Sequence, residues 1–346
     1  LPSSNTAHAG PPSLPQPAGP LTGALFDVLR GDAPEAATRL DGLALSAVGE
    51  PLGDDDFQLA LYALYELHYR GFAGVDERWE WDPDLLAFRA RLEAVFEDRL
   101  AAAVPAGPSA SPQGMDLALR AILDADDGPS LSRYLETRAT LPEFVEFAIH
   151  RSAYQLKEAD PHSWALPRLS GRPKAALVAI QNDEYGDGVV VRAHSELFRG
   201  TLLALGLRGD YGAYLDVIPG VTLATVNLMT LFGLHRRRRG AIVGHLAAFE
   251  MSSAVPNGRY SRGLERLRCP RARPFFDEHV VADSVHEHLA AVDLAGGLAA
   301  AEPHLTDDIL FGARALVELD RRLAAALLGA WADGRSSLRA RRPAGA

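Results

Sequence analysis

Apolar residues recur along this chain at helical intervals and almost nowhere at the alternation of a strand. The stretch from Phe57 to Leu67 is one example, and Leu85, Leu86, Phe88, Leu92, Val95, Phe96 and Leu100 form another. Spacings of three and four place such side chains on one helical face. The same reading predicts helices near 115–124, 129–138, 141–158, 173–206, 211–216, 221–234, 239–253, 274–293 and 305–330. Pro142 suits a first helical turn, and Thr306 with Asp307 and Asp308 can cap the last helix. Val189–Val191 is the only short β-branched run, and hairpin signals with alternating flanks are absent. The chain therefore reads as all-α.

Pro105 to Pro112, with Gly, Ser and Ala between, interrupts the periodic segments. It separates an N-terminal helical region, 21–105, from a larger core, 115–330. Residues 1–20 are rich in Pro, Ser, Gly and Ala without a basic-then-apolar order, so they read as a disordered leader rather than a signal peptide. Residues 331–346, with Arg335, Arg339, Arg341 and Arg342, read as a flexible basic tail. In the N-terminal region, Tyr65 to Phe72 and Trp79-Glu80-Trp81 read as surfaces that pack on the core. Glu66 and His68, two residues apart, point in different directions on a helix and cannot chelate together.

Composition narrows the class. With 346 residues the chain can bury one large core or two modest ones. Its 47% hydrophobic and 23% charged content is that of a soluble globular protein. No apolar run reaches the roughly 18 residues of a membrane span. The single cysteine, Cys269, excludes an intramolecular disulfide framework and a thiolate zinc cluster, and a reducing cytoplasm is the expected compartment. A net charge of −10 opposes general nucleic-acid binding. Arg236 to Arg239 read as a solvated helix end, with a substrate-carboxylate or partner role as the alternative.

The richest chemistry lies in Phe276-Asp277-Glu278-His279-Val280-Val281-Ala282-Asp283-Ser284-Val285-His286. His279, Asp283 and His286 stand at i, i+4 and i+7, which at about 100° per residue puts them on one helical stripe. Two imidazoles and a carboxylate converging from one stripe are the ligand set of a non-haem iron site. Val280, Val281 and Val285 would make its surroundings apolar. An amphipathic helix with incidental polar residues has the same spacing, and the motif alone leaves both readings open. Glu278 and His288 flank the stripe on other faces.

Upstream stand Ile180-Gln181-Asn182-Asp183-Glu184-Tyr185-Gly186-Asp187-Gly188, His194-Ser195-Glu196-Leu197-Phe198, and Gly240 through Met251. In this order, with the His-x3-Asp-x2-His segment, these motifs resemble the haem-oxygenase-like diiron oxidases and oxygenases, iron-containing redox enzymes, from about Glu143 to about Leu327. The resemblance implies a haem-oxygenase-like helical bundle carrying an additional N-terminal helical region. Glu158 resembles the family's first ligand carboxylate, with a surface glutamate as the alternative. Glu184 and His194 match a ligand pair at the family's separation, and a loop at Gly186 and Gly188 could re-aim the chain between them. Glu250, 29 residues before His279, matches a further ligand; a glutamate ending an apolar helix is costly to bury without a cation. Together with His279, Asp283 and His286, the implied set is four carboxylates and three imidazoles for two Fe(II) ions. Glu146 and His150 share a face and are fallback candidates, whereas His245 points away from Glu250. No Glu-x-x-His pair occurs, which sets the chain apart from ferritin-like diiron bundles. The carboxylates set it apart from a haem oxygenase proper.

The activity implied by the resemblance is activation of O2 as co-substrate, with an external electron donor left open. The substrate is a small organic molecule (amine, amino-acid-like or aliphatic), and the outcome is N-oxygenation, desaturation or C–C cleavage in natural-product pathways. A reductase and a second copy of the chain are partners it leaves open; membrane and nucleic acid are not expected. The competing reading is a non-catalytic metal or small-ligand binding protein on the same scaffold. A substrate pocket would be mainly apolar, with Tyr154, Tyr185 and Phe198 as wall candidates, although aromatics so placed are more often core.

Overall fold

A computed structural model describes residues 10–31, 40, 42, 43, 45 and 48–340, with the backbone alone for 282–285. Helices account for nearly all regular structure, and no strand occurs among the described residues. The N-terminal region contributes α1 (Pro20–Leu29), α2 (Asp55–Glu66) and α3 (Pro83–Ala103). The bundle adds α4 (Met115–Asp124), α5 (Leu131–Thr137), α6 (Leu141–Gln155), α7 (Gly171–Glu184), α8 (His194–Ala204), α9 (Gly220–Leu234), α10 (Arg239–Arg266), α11 (Pro274–His288) and α12 (Thr306–Ala332). α11 runs on through a π-helical stretch, Leu289–Gly296, into Gly297–Ala301. This is the all-helical architecture expected from the sequence.

α10 is the centre of the bundle, packed against α5, α9, α11 and α12. Its approach to α12 is so close that a Cβ at Gly244 would meet Ile309 O at 1.8 Å, and one at Gly312 would meet Ala241 O at 2.0 Å. Side chains at those positions would push the two helices apart. α7 lies on the π-helical stretch, α8 lies on α6 and α11, and α2 docks on α9. One apolar cluster runs from Leu25, Phe26, Phe57 and Phe96 through Leu231 and Ile242 to Ile309, so the N-terminal region and the bundle share a core.

Several helix starts are capped by carboxylates from other helices. Asp56 of α2 accepts from Leu21 N (2.7 Å) and Thr22 N (2.9 Å) at the start of α1. Asp55 accepts from Gly220 N of α9 at 2.6 Å. Asp308 of α12 accepts from Ala241 N of α10 at 2.9 Å. Each satisfies an amide that a helix start leaves without a partner. Asp308 thus caps α10 rather than its own helix, and the Thr306 hydroxyl donates to Pro303 O at 2.8 Å instead of capping. α6 obeys the local rule, with Thr140 and Glu143 forming a capping box around Pro142.

Four boundaries differ from the periodicity. The 173–206 segment is two helices, because positive φ at Gly186 (67°), Asp187 (53°) and Gly188 (77°) turns the chain between them. α6 stops at Gln155, and Ala159 at φ 74° reverses the path that a helix to 158 would have taken. Residues 211–216 form turns, not a helix. α10 continues to Arg266 past Pro256, burying Ser261, Gly263 and Leu264. The two expected unstructured ends also differ over their described parts. Residues 10–19 are extended chain fastened by Ala73 N to Pro12 O (2.8 Å) and Gln16 N to Asp216 (2.7 Å). Ser337 N donates to Glu146 and Arg339 N to Val217 O, both at 2.8 Å, which docks the segment after α12. Residues 1–9 and 341–346 lie outside the described part.

Candidate metal centre

Six of the seven residues singled out as ligands come together. One ligand atom each from Glu158, Glu184, His194 and His279 lie within 4.8 Å of one another, and so do atoms from Glu184, Glu250 and His286. Glu184 belongs to both groups. All six side chains are buried. The seventh, Asp283, has its backbone in α11, but its side chain lies outside the described residues.

Different local devices deliver these side chains. Glu158 sits in the turn that ends α6, aimed inward by the left-handed backbone at Ala159. Glu184 is the last residue of α7 and His194 the first of α8. The loop between them folds so tightly that a Cβ at Gly186 would lie 2.4 Å from Ala193 N. Glu250 projects from the middle of α10, and His279 and His286 from one face of α11 two turns apart.

The two histidines of α11 present opposite ring nitrogens to the centre. His279 donates from Nδ1 to Phe275 O at 2.8 Å, one turn earlier, and its Nε2 lies 3.6 Å from Glu158. His286 has Nε2 2.9 Å from Asp183, while Nδ1 faces Glu250 at 3.4 Å and Glu184 at 3.8 Å. In each ring one nitrogen faces an outer acceptor, so that the other, once a cation displaces its proton, can turn its lone pair inward as a metal-binding histidine requires. His194 Nδ1 stands 2.9 Å from Glu184, and its ring centroid is 4.4 Å from that of His279.

Four of the donor atoms fit a shared cation, because each lacks a well-formed hydrogen bond. Glu158 Oε2, Glu184 Oε2, His194 Nδ1 and His286 Nδ1 are buried and make no hydrogen bond of acceptable geometry. Buried polar atoms rarely stay so, and four converging on one space call for a shared cation. Electrostatics agree. Burial would raise the Glu184 carboxyl, yet His194, His279 and His286 pull it down to about 2. Burial would lower His286, yet Glu250, Glu184 and Asp183 push it up to about 9. Burial likewise opposes a charge on His194, and Glu184 raises it. Without an ion, protons on imidazoles balance the carboxylates; a bound cation would replace them. Tyr154 stands in the field of Glu158, Glu184 and Glu250, and burial, reinforced by these charges, raises its phenol far above the ordinary value.

Other expectations are corrected by geometry. His150 bonds Thr222 (2.7 Å) and Ser337 (3.0 Å), and Glu146 receives Trp331 Nε1 at 2.8 Å, so this fallback pair fastens the C-terminal segment. His245 pairs with His162 at 3.2 Å and, as expected, is not among the grouped donors. Val280 and Val281 are exposed, and the apolar backing comes instead from Phe275 and Phe276. Phe198 is fully buried against Phe275 at 5.0 Å and is core, not pocket wall. Arg237 and Arg238 pair with Glu97, Arg238 also with Asp308, and Arg239 with Glu302, so the arginine run ties α10 to its neighbours.

A cavity of about 550 Å³ reaches Glu158 from outside. Its wall is mainly apolar in area, as expected, and carries Arg70, Lys157, Asp160, Tyr185 and Glu196; Tyr185 is the one wall candidate it contains. Two features here were missed. Asp183 sits beside Glu184 in sequence but about 100° away on the helix, which hides its role behind His286. Arg70 and the Glu66–Lys157 pair lie at a tertiary contact that periodicity does not reveal.

A family model described as iron-containing redox enzyme matches residues 145–321, and the chain belongs to that family. The matched stretch contains all seven ligand candidates and makes the protein an oxidoreductase of the iron-dependent kind. Among curated proteins none matches the sequence significantly.

Proposed function

We propose that this protein is a non-haem diiron oxidase or oxygenase that activates O2 to oxidise a small organic substrate. The observation that carries the reading is Glu184, shared by two buried donor groups. In two-metal sites the ions sit about 3.5–4 Å apart, a distance one bridging carboxylate spans. Glu158, His194 and His279 would hold one iron, Glu250 and His286 the other, with Asp283 as the further ligand implied by the motif. Fe(II) bound there supplies the electrons and open coordination positions for reducing O2.

The residues do the rest. Three buried carboxylates, with Asp283 a fourth, would balance the charge of two divalent ions. Phe275 O and Asp183 hold the two α11 imidazoles in the metal-facing tautomer. Tyr154, kept protonated among the carboxylates, is a buried proton donor beside the centre. The cavity at Glu158 gives the substrate its approach, and Tyr185, which donates to Asp160 at 2.8 Å, fixes one wall.

Anaerobic Fe(II) titration and subsequent mixing with O2 test this. The expected result is saturation near two irons per chain, O2 consumption by the loaded protein, and loss of both in His286→Ala with helical content unchanged. Saturation at one iron with Glu158 replaceable at no cost would defeat the diiron reading. Two bound irons without O2 consumption would leave a metal-binding protein.

A further inference from the structure

Arg70 lies just beyond α2 in the N-terminal region, outside the segment that defines the family. Its guanidinium lies 4.2 Å from the centroid of the Tyr211 ring and donates to Leu156 O at 3.4 Å. Tyr211 is itself fixed, donating its hydroxyl to Glu66 at 2.7 Å. Lys157, the neighbouring cation, is spent on Glu66 at 3.0 Å. Arg70 makes no ion pair with a carboxylate among the described residues, although it lines the cavity that ends at Glu158. On the same wall Asp160 is engaged by Tyr185, and Glu196 has Arg199 only at 3.8 Å. The cavity thus offers a stacked guanidinium with free donors and, beside it, two carboxylates that are not metal-ligand candidates.

We infer that Arg70 anchors the carboxylate of an amino-acid substrate, whose ammonium group is received by Asp160 and Glu196. A planar guanidinium held on an aromatic ring is organised for two parallel hydrogen bonds to a carboxylate. An aliphatic substrate would leave all three charges facing apolar surface, which is unfavourable. A volume near 550 Å³ lies in the range of small-molecule sites. Held at its carboxylate by Arg70, the substrate directs its side chain toward Glu158 and the centre. The N-terminal region therefore belongs to the active site rather than merely covering the bundle.

The inference rests on the diiron reading for the chemistry of the bound substrate, so its test reads binding on metal-free protein. The proteinogenic L-amino acids are screened at millimolar concentration by thermal shift, and the best is compared with its carboxamide by calorimetry. The acid should bind and the amide should not. Arg70→Gln should weaken the acid about ten- to hundredfold, the loss of a charged hydrogen bond, and Arg70→Lys should recover part of it. The melting temperature of free Arg70→Gln and its Fe(II) stoichiometry should match those of the parent, which separates an anchor from a structural residue. No amino acid binding, equal binding of the amide, or unchanged affinity in Arg70→Gln each overturns the inference. Carboxylate binding through Arg70 in a chain that takes up no iron would uphold it while defeating the diiron reading.

Discussion

Lys157 offers the sharpest test of how the N-terminal region is joined to the centre. Its side chain is 1% exposed and pairs at 3.0 Å with Glu66, which is 0% exposed. Its ammonium also lies 4.2 Å from the ring centroid of Tyr69 and 4.7 Å from that of Tyr62. Lys157→Met would leave the Glu66 carboxylate buried with the Tyr211 and Tyr62 hydroxyls and, at 3.4 Å, Arg70 N, but without a cation in an ion pair. Removing one partner of a buried pair costs about 3–5 kcal/mol, because the remaining charge is uncompensated. Replacing both with apolar residues of similar size is often close to neutral. In Glu66→Leu with Lys157→Met the Tyr211 hydroxyl loses its acceptor, a residual penalty of about 1–3 kcal/mol. The assay is equilibrium unfolding in urea for the parent, both single variants and the double. Lys157→Met should lose about 3–5 kcal/mol and the double should regain about half of it. Since Glu158 is the next residue, Fe(II) affinity should fall in the single variant and recover in the double. A single variant within about 1 kcal/mol of the parent, the value of an exposed pair, would refute the argument. So would a double variant as unstable as the sum of the singles.

Three further outcomes are expected. Asp183→Ala removes the acceptor 2.9 Å from His286 Nε2 and should weaken Fe(II) binding about 10- to 100-fold at constant helicity; an unchanged titration would show that Asp183 does not orient the ring. Gly186→Ala puts a Cβ 2.4 Å from Ala193 N at φ 67° and should cost more than about 1 kcal/mol, measurable by thermal melting, with His194 displaced; a melt equal to the parent's would show that the loop adapts. Burial pushes His150 down to about 4, against about 6.5 in the unfolded chain. Between those values the unfolded chain binds the proton and the folded one does not, so this stability is complete above about pH 6.5 and lost as pH falls toward 4. His150→Gln should flatten that part of the urea-unfolding profile, and an unaltered slope would exclude His150 as a source of acid sensitivity.

The parts of the centre legible in the sequence are those whose geometry is local. His279 and His286 share a face because seven residues make two turns, and no tertiary information is needed. The break between Glu184 and His194 shows in Gly186 and Gly188, residues that tolerate positive φ. Glu158 is different: its direction depends on Ala159 at φ 74°, a conformation alanine rarely adopts and sequence does not signal. The exposure of Val280 and Val281 was illegible for a related reason, since apolar side chains beside a ligand stripe do not say which flank meets the bundle. The part Arg70 plays in the cavity wall was illegible because it lies 88 residues before Glu158 in the chain.

The trans caps give this difference a structural meaning. α10, which carries Glu250, is capped by Asp308 of α12 and bound through Arg237 and Arg238 to Glu97 of α3. α9 is capped by Asp55 of α2, and Tyr69 just beyond α2 reaches Thr230 of α9 at 3.0 Å. Each contact fixes the end of one helix against another, so the register of the bundle depends partly on the N-terminal region. The Glu66–Lys157 pair then ties α2 to the turn bearing Glu158, in the buried layer that also fixes Tyr211 under Arg70. A metal centre needs its donors held within fractions of an ångström, and here part of that support comes from elements outside the segment that carries the candidate ligands. Removing residues 10–105 should therefore act on the centre itself, not only on access to it: Glu158 would lose the support of Lys157, and α10 would lose Glu97 at its start.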